Sequence, residues 1–410
     1  MSARRFTALS HGLAIVLFFL GGIVYPLWKG SAVGLLVAGL LLIYGSIGLG
    51  KTRWLGSLAS FLQRSWAQKA ALFLATVIVM LGGVEYIAQF LVRTHLVETY
   101  SPMLTQLPPG TEDWRVAHIT ADEFREPDPV LWWKPKAGPP YNSQRMKGPV
   151  VSLDKPAGVF RILCYGDSNT DGPDEGGWPE RLQAILDRES SDRIEYEVLN
   201  AGVTGYSSHQ GLLRFQEQVD AFRPDLVLVS FGWNDLATAL GAPDDRFTPP
   251  GPMRVSIERF LLHYRFYLIL KRYLSLEAAA SESVVSHRVS LEDYLSNMEG
   301  FRETAEQYGA RVVYLTRPHR EPVERMKRIQ NNWRGEVPSY NEALVGFGRD
   351  KDELVVDVQA AFEDRFPDAF VDECHFTQEG HEKMAELLFE RLETEGYLPG
   401  QSSRASSSSM

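Results

Sequence analysis

A serine stands where a short strand-like hydrophobic run ends. The run Val159–Tyr165 is followed directly by Gly166, Asp167 and Ser168. Three polar blocks come later in the chain: Asn200-Ala201-Gly202-Val203-Thr204-Gly205, Gly232-Trp233-Asn234-Asp235 and Asp372-Glu373-Cys374-His375. An unassisted serine hydroxyl is a poor nucleophile, so it needs a base within hydrogen-bond reach and donors for the oxyanion that its attack creates. The four blocks in this order predict acyl transfer through a serine nucleophile.

Each block supplies one role in that chemistry. His375 is the predicted base, and Asp372, three residues earlier, is predicted to orient its ring and stabilise the imidazolium. The predicted oxyanion donors are the backbone N–H groups of Ser168 and Gly205 and the side-chain amide of Asn234. Taken singly, Gly-Asp-Ser is a common turn and Asn-Asp a common helix cap. The prediction therefore depends on the blocks occurring together and at strand ends.

The chain from Val159 onward alternates between apolar strand-like runs and amphipathic helices. The predicted strands are Val159–Tyr165, Tyr196–Asn200, Leu226–Phe231, Arg311–Leu315 and Leu354–Val358. The predicted helices include Trp178–Arg188, His209–Ala221, Leu291–Tyr308, Tyr340–Phe347 and Thr377–Glu395. This alternation is typical of βαβ units, in which a parallel sheet carries helices on both faces. Ligands of such sheets bind at the carboxyl ends of the strands, where Ser168, Gly205, Asn234 and His375 are expected.

These blocks resemble the four consensus blocks of the SGNH/GDSL hydrolases. The resemblance covers about residues 157–395 and its motifs are specific when found together. It implies an α/β, flavodoxin-like three-layer α/β/α fold with a parallel sheet. It also implies that Ser168 is the nucleophile, that Ser168, Gly205 and Asn234 form the oxyanion hole, and that His375 is the base oriented by Asp372. Trp233 departs from the family, which commonly has a small residue there, and it is expected to narrow the acyl site.

The N-terminal part of the chain has the composition of a membrane anchor. Residues 1–92 carry seven Lys or Arg and a single acid, Glu85. Three segments are apolar over about 20 residues, the length that spans a bilayer: Phe6–Trp28, Gly30–Gly50 and Ala70–Val92. Because cytoplasmic loops collect Lys and Arg, the N-terminus and the 51–69 loop are predicted inside and residues 93–410 outside the cytoplasmic membrane. The alternative is a monotopic anchor with the domain inside.

Composition and spacing exclude several other classes. The chain has a net charge of −10, and residues 1–92 are basic, so the rest of the chain is strongly acidic. An acidic surface is unfavourable for binding the phosphate backbone of nucleic acid. Gly45–Thr52 fits a phosphate-binding loop and leaves a membrane nucleotide hydrolase as a distant alternative, although it closes an apolar run rather than joining a strand to a helix. No metal-ligand cluster or cofactor motif is present, so neither is predicted. Cys164 and Cys374 are predicted to be free thiols. Cys164 lies inside the first predicted strand, about 13 Å from its serine end at about 3.3 Å per residue, whereas the Cα atoms of a disulfide normally lie within about 7 Å of each other.

The sequence divides into four regions. Residues 1–92 are the predicted anchor with three transmembrane helices, and 93–155 are a linker whose extended pieces are expected to pack on the catalytic domain. Residues 156–398 are the predicted hydrolase domain, and the serine-rich tail 399–410 is predicted to be disordered. The insertion 236–290 is open to three interpretations: a lid, a face resting on the membrane, or ordinary core helix. Asp171, Asp174 and Glu175 are expected to be solvated loop carboxylates rather than a glycosidase-type acid pair.

Besides the distant nucleotide-hydrolase alternative, the sequence thus leads to one principal functional hypothesis and three further alternatives. The principal one is a membrane-anchored, extracytoplasmic serine esterase that removes a small acyl group, such as O-acetyl, from an envelope or secreted glycan. The same acyl-serine intermediate would serve an O-acyltransferase acting on cell-surface polysaccharide, with a separate protein as donor system. A lipid esterase and a catalytically silent glycan-binding domain are the others. Expected partners are the acylated glycan or lipid ester, the membrane, and envelope polysaccharide-modification proteins.

Overall fold

A computed structural model describes residues 65–94, 96–97, 124–189, 194–239, 243–271, 286–320, 336–366 and 368–399. The first two predicted membrane spans and the Gly45–Thr52 pattern lie outside the described residues, as do residues 400–410 of the tail. The chain forms two compact units. One draws on Met1–Tyr100 and Phe260–Leu274, and the other on Ser101–Arg259 and Ser275–Met410. Each is described by itself.

The first unit contains the long helix α1, Ser65–Arg93. Its stretch Phe73–Arg93, 21 residues, is the one helical segment, in the part of the chain that the structure describes, that is long and apolar enough to cross a membrane. It corresponds to the third predicted span. Several of its large apolar side chains are exposed, including Phe73, Met80, Tyr86 and Phe90.

The second unit contains the nine described strands and most of the helices. The strands are β1 Arg125–Asp128, β2 Trp132–Pro135, β3 Val159–Gly166, β4 Glu195–Asn200, β5 Leu226–Ser230, β6 Thr238–Ala239, β7 Ser286–His287, β8 Arg311–Leu315 and β9 Leu354–Val356. The helices that follow α1 in the chain are α2 Ser168–Asp171, α3 Trp178–Glu189, α4 Ser208–Phe222, α5 Pro252–Leu261, α6 Leu291–Gln307, α7 Val337–Lys351, α8 Val358–Arg365 and α9 Gln378–Thr394. Helix α5 ends at the boundary with the first unit.

Five of the strands form one parallel sheet in the order β4-β3-β5-β8-β9. Numbered along the chain, this is the order 2-1-3-4-5 of flavodoxin-like folds. After the second strand is placed on one side of the first, the later strands are added on its other side. Cys164 pairs with Asn200 of β4 and Gly166 pairs with Ser230 of β5. The carboxyl ends of β4, β3 and β5 are therefore adjacent, and the loops that carry Ser168, Gly205 and Asn234 leave the sheet side by side.

Both faces of the sheet are buried beneath helices. Leu163 and Tyr165 of β3 pack in a cluster with residues of α4, α6 and α7, whereas Ile162 and Cys164 pack with α3, α8 and α9. Successive side chains of a strand point to opposite faces, so a strand covered on both sides must be apolar throughout. This explains why the strands are continuous hydrophobic runs in the sequence.

The observed elements match the predicted ones closely, except around β9 and the helices on either side of it. The predicted strand Leu354–Val358 ends at Val356, because the side chain of Asp357 accepts the backbone N–H of Ala360 and begins helix α8. An N-cap aspartate ends the strand and starts the helix within one residue, and the valines on both sides of Asp357, Val356 and Val358, conceal this boundary in the sequence. Helix α7 also begins earlier than predicted, at Val337, with a proline in its first turn.

Residues 124–155, the described part of the predicted linker beyond Tyr100, belong to the second unit. Strands β1 and β2 form an antiparallel hairpin whose turn is held by Asp128. Its carboxylate accepts the backbone N–H groups of Val130 and Leu131 at 2.9 and 3.1 Å. Tyr206, one residue after Gly205, donates its hydroxyl to the carbonyl of Trp133 at 2.5 Å. The hairpin is thereby attached to the loop that follows β4.

Candidate active site

Ser168 stands at the turn between β3 and the one-turn helix α2. Asp167 caps this helix by accepting the backbone N–H of Asn169 at 3.0 Å. A side chain at Gly166 would collide with Thr170 and lie 2.8 Å from the carbonyl of Ser230, so the turn requires a glycine there. Ser168 is the first helical residue, and the N–H groups of a first turn have no acceptor within the helix. Its amide is thus suited to receive a developing negative charge.

His375 and Asp372 complete a hydrogen-bonded chain with the serine. The Oγ of Ser168 lies 2.8 Å from Nε2 of His375, and Nδ1 of His375 lies 2.7 Å from Oδ2 of Asp372. With its proton on Nδ1, the imidazole donates to the aspartate and accepts from the serine. The other carboxylate oxygen of Asp372 accepts the backbone N–H groups of Cys374 and His375 at 2.9 and 2.8 Å. A single short loop therefore fixes both the ring and the carboxylate.

The two groups shift each other's pKa in opposite directions. Burial disfavours the imidazolium and is the largest single influence, but the hydrogen bonds and charges of Asp372 and Cys374 together outweigh it and raise the pKa of His375 to about 10. Burial likewise opposes ionisation of Asp372, but hydrogen bonds from His375 and the two amides hold the pKa of Asp372 well below its usual value. Asp372 therefore stabilises the imidazolium, which is the form that His375 takes after accepting the serine proton.

Gly205 and Asn234 lie in neighbouring loops that are bonded to each other. Gly205 has a φ of +85°, which favours glycine, and its carbonyl accepts Nη1 of Arg288 at 2.8 Å. The side-chain amide of Asn234 donates to the carbonyl of Tyr206 at 3.1 Å, which leaves its second hydrogen for another acceptor. Within the same loop as Gly205, the N–H of Val203 donates to the carbonyl of Gly166 at 3.0 Å. The structure thus brings both predicted donors to the loops beside Ser168; their roles as oxyanion donors stay predictions.

Two residues that the sequence did not single out link the serine loop to the histidine loop. The side chain of Asn169 donates Nδ2 to the carbonyl of Cys374 at 2.7 Å and accepts the N–H of Phe376 at 3.1 Å. The guanidinium of Arg317, which is fully buried, donates Nε to Asp167 at 3.0 Å and Nη1 to the carbonyl of Cys374 at 3.3 Å. The residues on both sides of Ser168 are thus bonded to the residues on both sides of His375, directly or through Arg317.

Asp171 does not have the solvated position expected from the sequence. It is 3% exposed and lies 3.3 Å from Nζ of Lys147. Its carboxylate also accepts the hydroxyl of Tyr141 at 3.0 Å and the backbone N–H of Thr204 at 3.1 Å. The partners belong to segments 24 or more residues away, so no local pattern could reveal them. Asp171 holds the loop before Gly205 to the region that precedes β3.

The two cysteines and a compact cluster of metal-binding residue types lie on the elements that carry this site. Cys164 and Cys374 are free and buried, as predicted. Among the residues that the structure describes, Asp372, Cys374 and His375 form a group whose donor atoms all lie within 4.8 Å of one another. Because His375 is already bonded to Asp372 through Nδ1 and to Ser168 through Nε2, this geometry fits an acid–base pair.

Comparison with known proteins assigns the chain to a family. Residues 164–383 match the GDSL-like Lipase/Acylhydrolase family, which is more than half of the 410 residues. The chain therefore belongs to this family. The match contains Ser168, Gly205, Asn234, Asp372 and His375, and its strands form the parallel sheet described above.

Individual relatives are similar over shorter stretches. A stretch of 105 residues is 32% identical to the uncharacterized lipoprotein YqeF of Bacillus subtilis (strain 168), covering 25% of this chain and 40% of that protein. Another of 78 residues is 35% identical to the arylesterase of Vibrio mimicus, covering 18% and 38%. The chain thus spans about two fifths of the length of these relatives. The acetylxylan esterase Axe2 from Geobacillus stearothermophilus is 19% identical, with a TM-score of 0.39 over 57% of this chain and 94% of that one.

Proposed function

We propose that this protein is a membrane-anchored serine esterase whose catalytic domain lies outside the cytoplasm and removes a small acyl group, such as O-acetyl, from an envelope or secreted glycan. The observation that carries the esterase assignment is the chain of hydrogen bonds from Ser168 through His375 to Asp372, at 2.8 and 2.7 Å. Membership of the acylhydrolase family and the stretch shared with an arylesterase support it.

The geometry accounts for each step of such a reaction. Oγ of Ser168 attacks the ester carbonyl and gives its proton to Nε2 of His375, while Asp372 stabilises the imidazolium. The oxyanion receives hydrogen bonds from the amides of Ser168 and Gly205 and from Asn234. The intermediate then loses its alkoxide, which takes the proton from His375, and the acyl group stays on Ser168. In the second half, His375 deprotonates a water that attacks the acyl-serine, and the acid is released as the proton returns to Ser168.

The membrane attachment rests on other observations. Helix α1 has the length and hydropathy of a span, and a curated relative is named a lipoprotein. The excess of Lys and Arg in residues 1–92 supports a cytoplasmic N-terminus. The preference for a small acyl group is supported by Trp233, which is only 6% exposed and precedes Asn234 directly.

The first test is hydrolysis of p-nitrophenyl acetate, butyrate and octanoate by the full-length protein in detergent. Ser168→Ala should lower kcat by about 10³-fold or more, because the nucleophile is lost while the binding site stays. Ser256→Ala is the matched control, since Ser256 lies on the exposed side of α5 and should leave kcat unchanged. Turnover that persists in Ser168→Ala would remove the nucleophile assignment. Faster cleavage of octanoate than acetate would move the substrate class to lipid esters.

A further inference from the structure

Glu85 joins α1 to a segment from a distant part of the sequence. It is 4% exposed, and its carboxylate accepts the backbone N–H groups of Arg265 and Phe266, each at 3.1 Å, and Nε2 of Gln89 at 2.9 Å. Residues 265–271 are helical, so Glu85 supplies acceptors to the first amides of this helix, which have none within it. We call residues 260–271 the tethered segment.

The contact lies well inside the apolar part of α1. Glu85 is eight residues before Arg93, the end of the candidate span. At a rise of 1.5 Å per residue, this separation is about 12 Å along the helix axis. The 21 residues of Phe73–Arg93 match the hydrocarbon thickness of about 30 Å. If α1 spans the bilayer, the first turn of the 265–271 helix reaches hydrocarbon depth.

The composition of the tethered segment suits that depth. The sequence Phe260-Leu-Leu-His-Tyr-Arg-Phe-Tyr-Leu-Ile-Leu-Lys271 is mostly aromatic and aliphatic, with basic residues at intervals. Phe260 is 62% exposed and Leu270 is 48% exposed, and neighbouring apolar side chains of α1, such as Tyr86 at 66%, are exposed as well. Aromatic and basic residues together mark helices that lie in the interface between headgroups and acyl chains.

The polar contacts remove two of the costs of such insertion. A backbone amide without an acceptor, or an unpaired carboxylate, is expensive in hydrocarbon. Without their contact, the carboxylate of Glu85 would be unpaired in hydrocarbon, and the first amides of the 265–271 helix would lack acceptors there. Their mutual hydrogen bonds remove both penalties at once. This gives Glu85 a role that an apolar residue at the same position could not fill.

We propose that the tethered segment is embedded in the outer half of the lipid bilayer and is held there by Glu85. The inference rests on the proposed membrane anchoring. The bilayer is the partner of this surface, with acyl chains against Phe260 and Leu270 and headgroups near Lys271. Since the segment lies within the sequence of the hydrolase domain, that domain is attached to the membrane at two points of its chain, namely the end of α1 and residues 260–271.

The test uses nitroxide labels on the full-length protein in phosphatidylethanolamine/phosphatidylglycerol vesicles. Leu270→Cys carries the nitroxide label. Asp220→Cys, at an exposed position of α4, is the water-exposed control. Unmodified protein measures background labelling of the buried Cys164 and Cys374. The ratio of collision rates with oxygen and with a water-soluble nickel chelate should be about fivefold or more higher at Leu270 than at Asp220, because oxygen partitions into hydrocarbon while the chelate is excluded from it.

Glu85 variants then test the tether. Glu85→Ala removes the acceptors and should bring the Leu270 ratio close to that of Asp220, whereas Glu85→Gln keeps one acceptor oxygen and should retain a higher ratio. An unchanged ratio in Glu85→Ala would overturn the role of Glu85. Vesicle flotation separates the two levels of the proposal. Protein that does not float overturns both anchoring and insertion, and floating protein with a water-exposed Leu270 overturns the insertion alone.

Discussion

The carboxylate of Asp372 influences the pH at which the proposed base, His375, becomes neutral. Because it raises the pKa of His375, the free base is populated only at higher pH than for an unperturbed histidine. Activity that needs neutral His375 should therefore increase as pH rises through this elevated pKa. In Asp372→Asn the carboxylate is gone, burial remains, and the pKa of His375 should fall.

Asp372→Asn is accordingly expected to move the acidic limb of the kcat/KM profile to lower pH. It should also lower the maximum by about 10–10³-fold, since the imidazolium loses its stabilising charge. The measurement is a pH profile of p-nitrophenyl acetate hydrolysis. His375→Ala, as a reference, should abolish the limb together with most of the activity. A limb that stays at the wild-type pH in Asp372→Asn would show that Asp372 does not act on His375.

Asn169 is expected to be a positioning residue for the same pair. Its amide bridges the carbonyl of Cys374 and the N–H of Phe376, so its loss should let the histidine loop shift relative to Ser168. Asn169→Ala should lower kcat by about 10²-fold with little change in KM, as is typical when reacting groups lose alignment. Asn169→Asp keeps the acceptor for Phe376 but loses the donor to Cys374, so its kcat should also fall.

Asn142 provides the matched control for that substitution. Its side chain likewise bonds backbone groups, donating Nδ2 to the carbonyls of Gly148 and Pro149 at 3.1 and 3.0 Å. Asn142→Ala should therefore lower the melting temperature comparably without lowering kcat. Equal kcat losses in the two alanine variants would indicate a general effect of destabilisation rather than alignment of Ser168 with His375.

At the scale of elements, the β1–β2 hairpin should depend on the charge of Asp128. Its side chain is fully buried and also pairs with Lys134 and Arg259 at 2.9 and 3.1 Å. Burial opposes ionisation, but these cations and the hydrogen bonds to the turn lower the pKa of Asp128 to about 2. A folded-state pKa below the unfolded value of 3.8 contributes stability above about pH 4 that is lost as pH falls through about 2.

Asp128→Asn should therefore lower the free energy of unfolding by about 2 kcal/mol at neutral pH, which is the size that such a pKa shift implies. The difference between wild type and variant should shrink as pH falls from about 4 to about 2. Denaturant titrations of both proteins at several pH values in detergent would measure it. A difference that stays constant across that range would mean that hairpin stability does not depend on ionised Asp128.

The sheet and its helices were predictable because each strand is a bounded apolar run and each helix repeats its apolar face. Strand β8, Arg311–Leu315, agrees with the prediction at both ends. Helix α8 was not predicted, because the apolar residues on both sides of Asp357 hide its cap. Ser168, Asp372 and His375 could be paired in advance through local motifs. Arg317 could not, since its bond to Asp167 joins residues 150 positions apart. Asp171 was misjudged for the same reason.

At the scale of the whole molecule, the distribution of charge determines the expected topology. The basic N-terminus and the basic 51–69 loop are expected on the cytoplasmic side of the membrane, and the acidic hydrolase domain on the other side. This distribution bears on the substrate, because only an extracytoplasmic domain meets envelope glycans. It also bears on the number of spans, since an odd number is needed to place the N-terminus and the domain on opposite sides.

A phosphatase that folds only outside the cytoplasm is expected to be active when fused after residue 400. The same reporter fused after residue 60, in the predicted cytoplasmic loop, should be inactive, because the Lys and Arg of that loop oppose its translocation. Reporter activity normalised to fusion abundance is the measurement. Activity at residue 60 but not at residue 400 would invert the topology. The domain would then face the cytoplasm, and a cytoplasmic ester rather than an envelope glycan would be the substrate to seek.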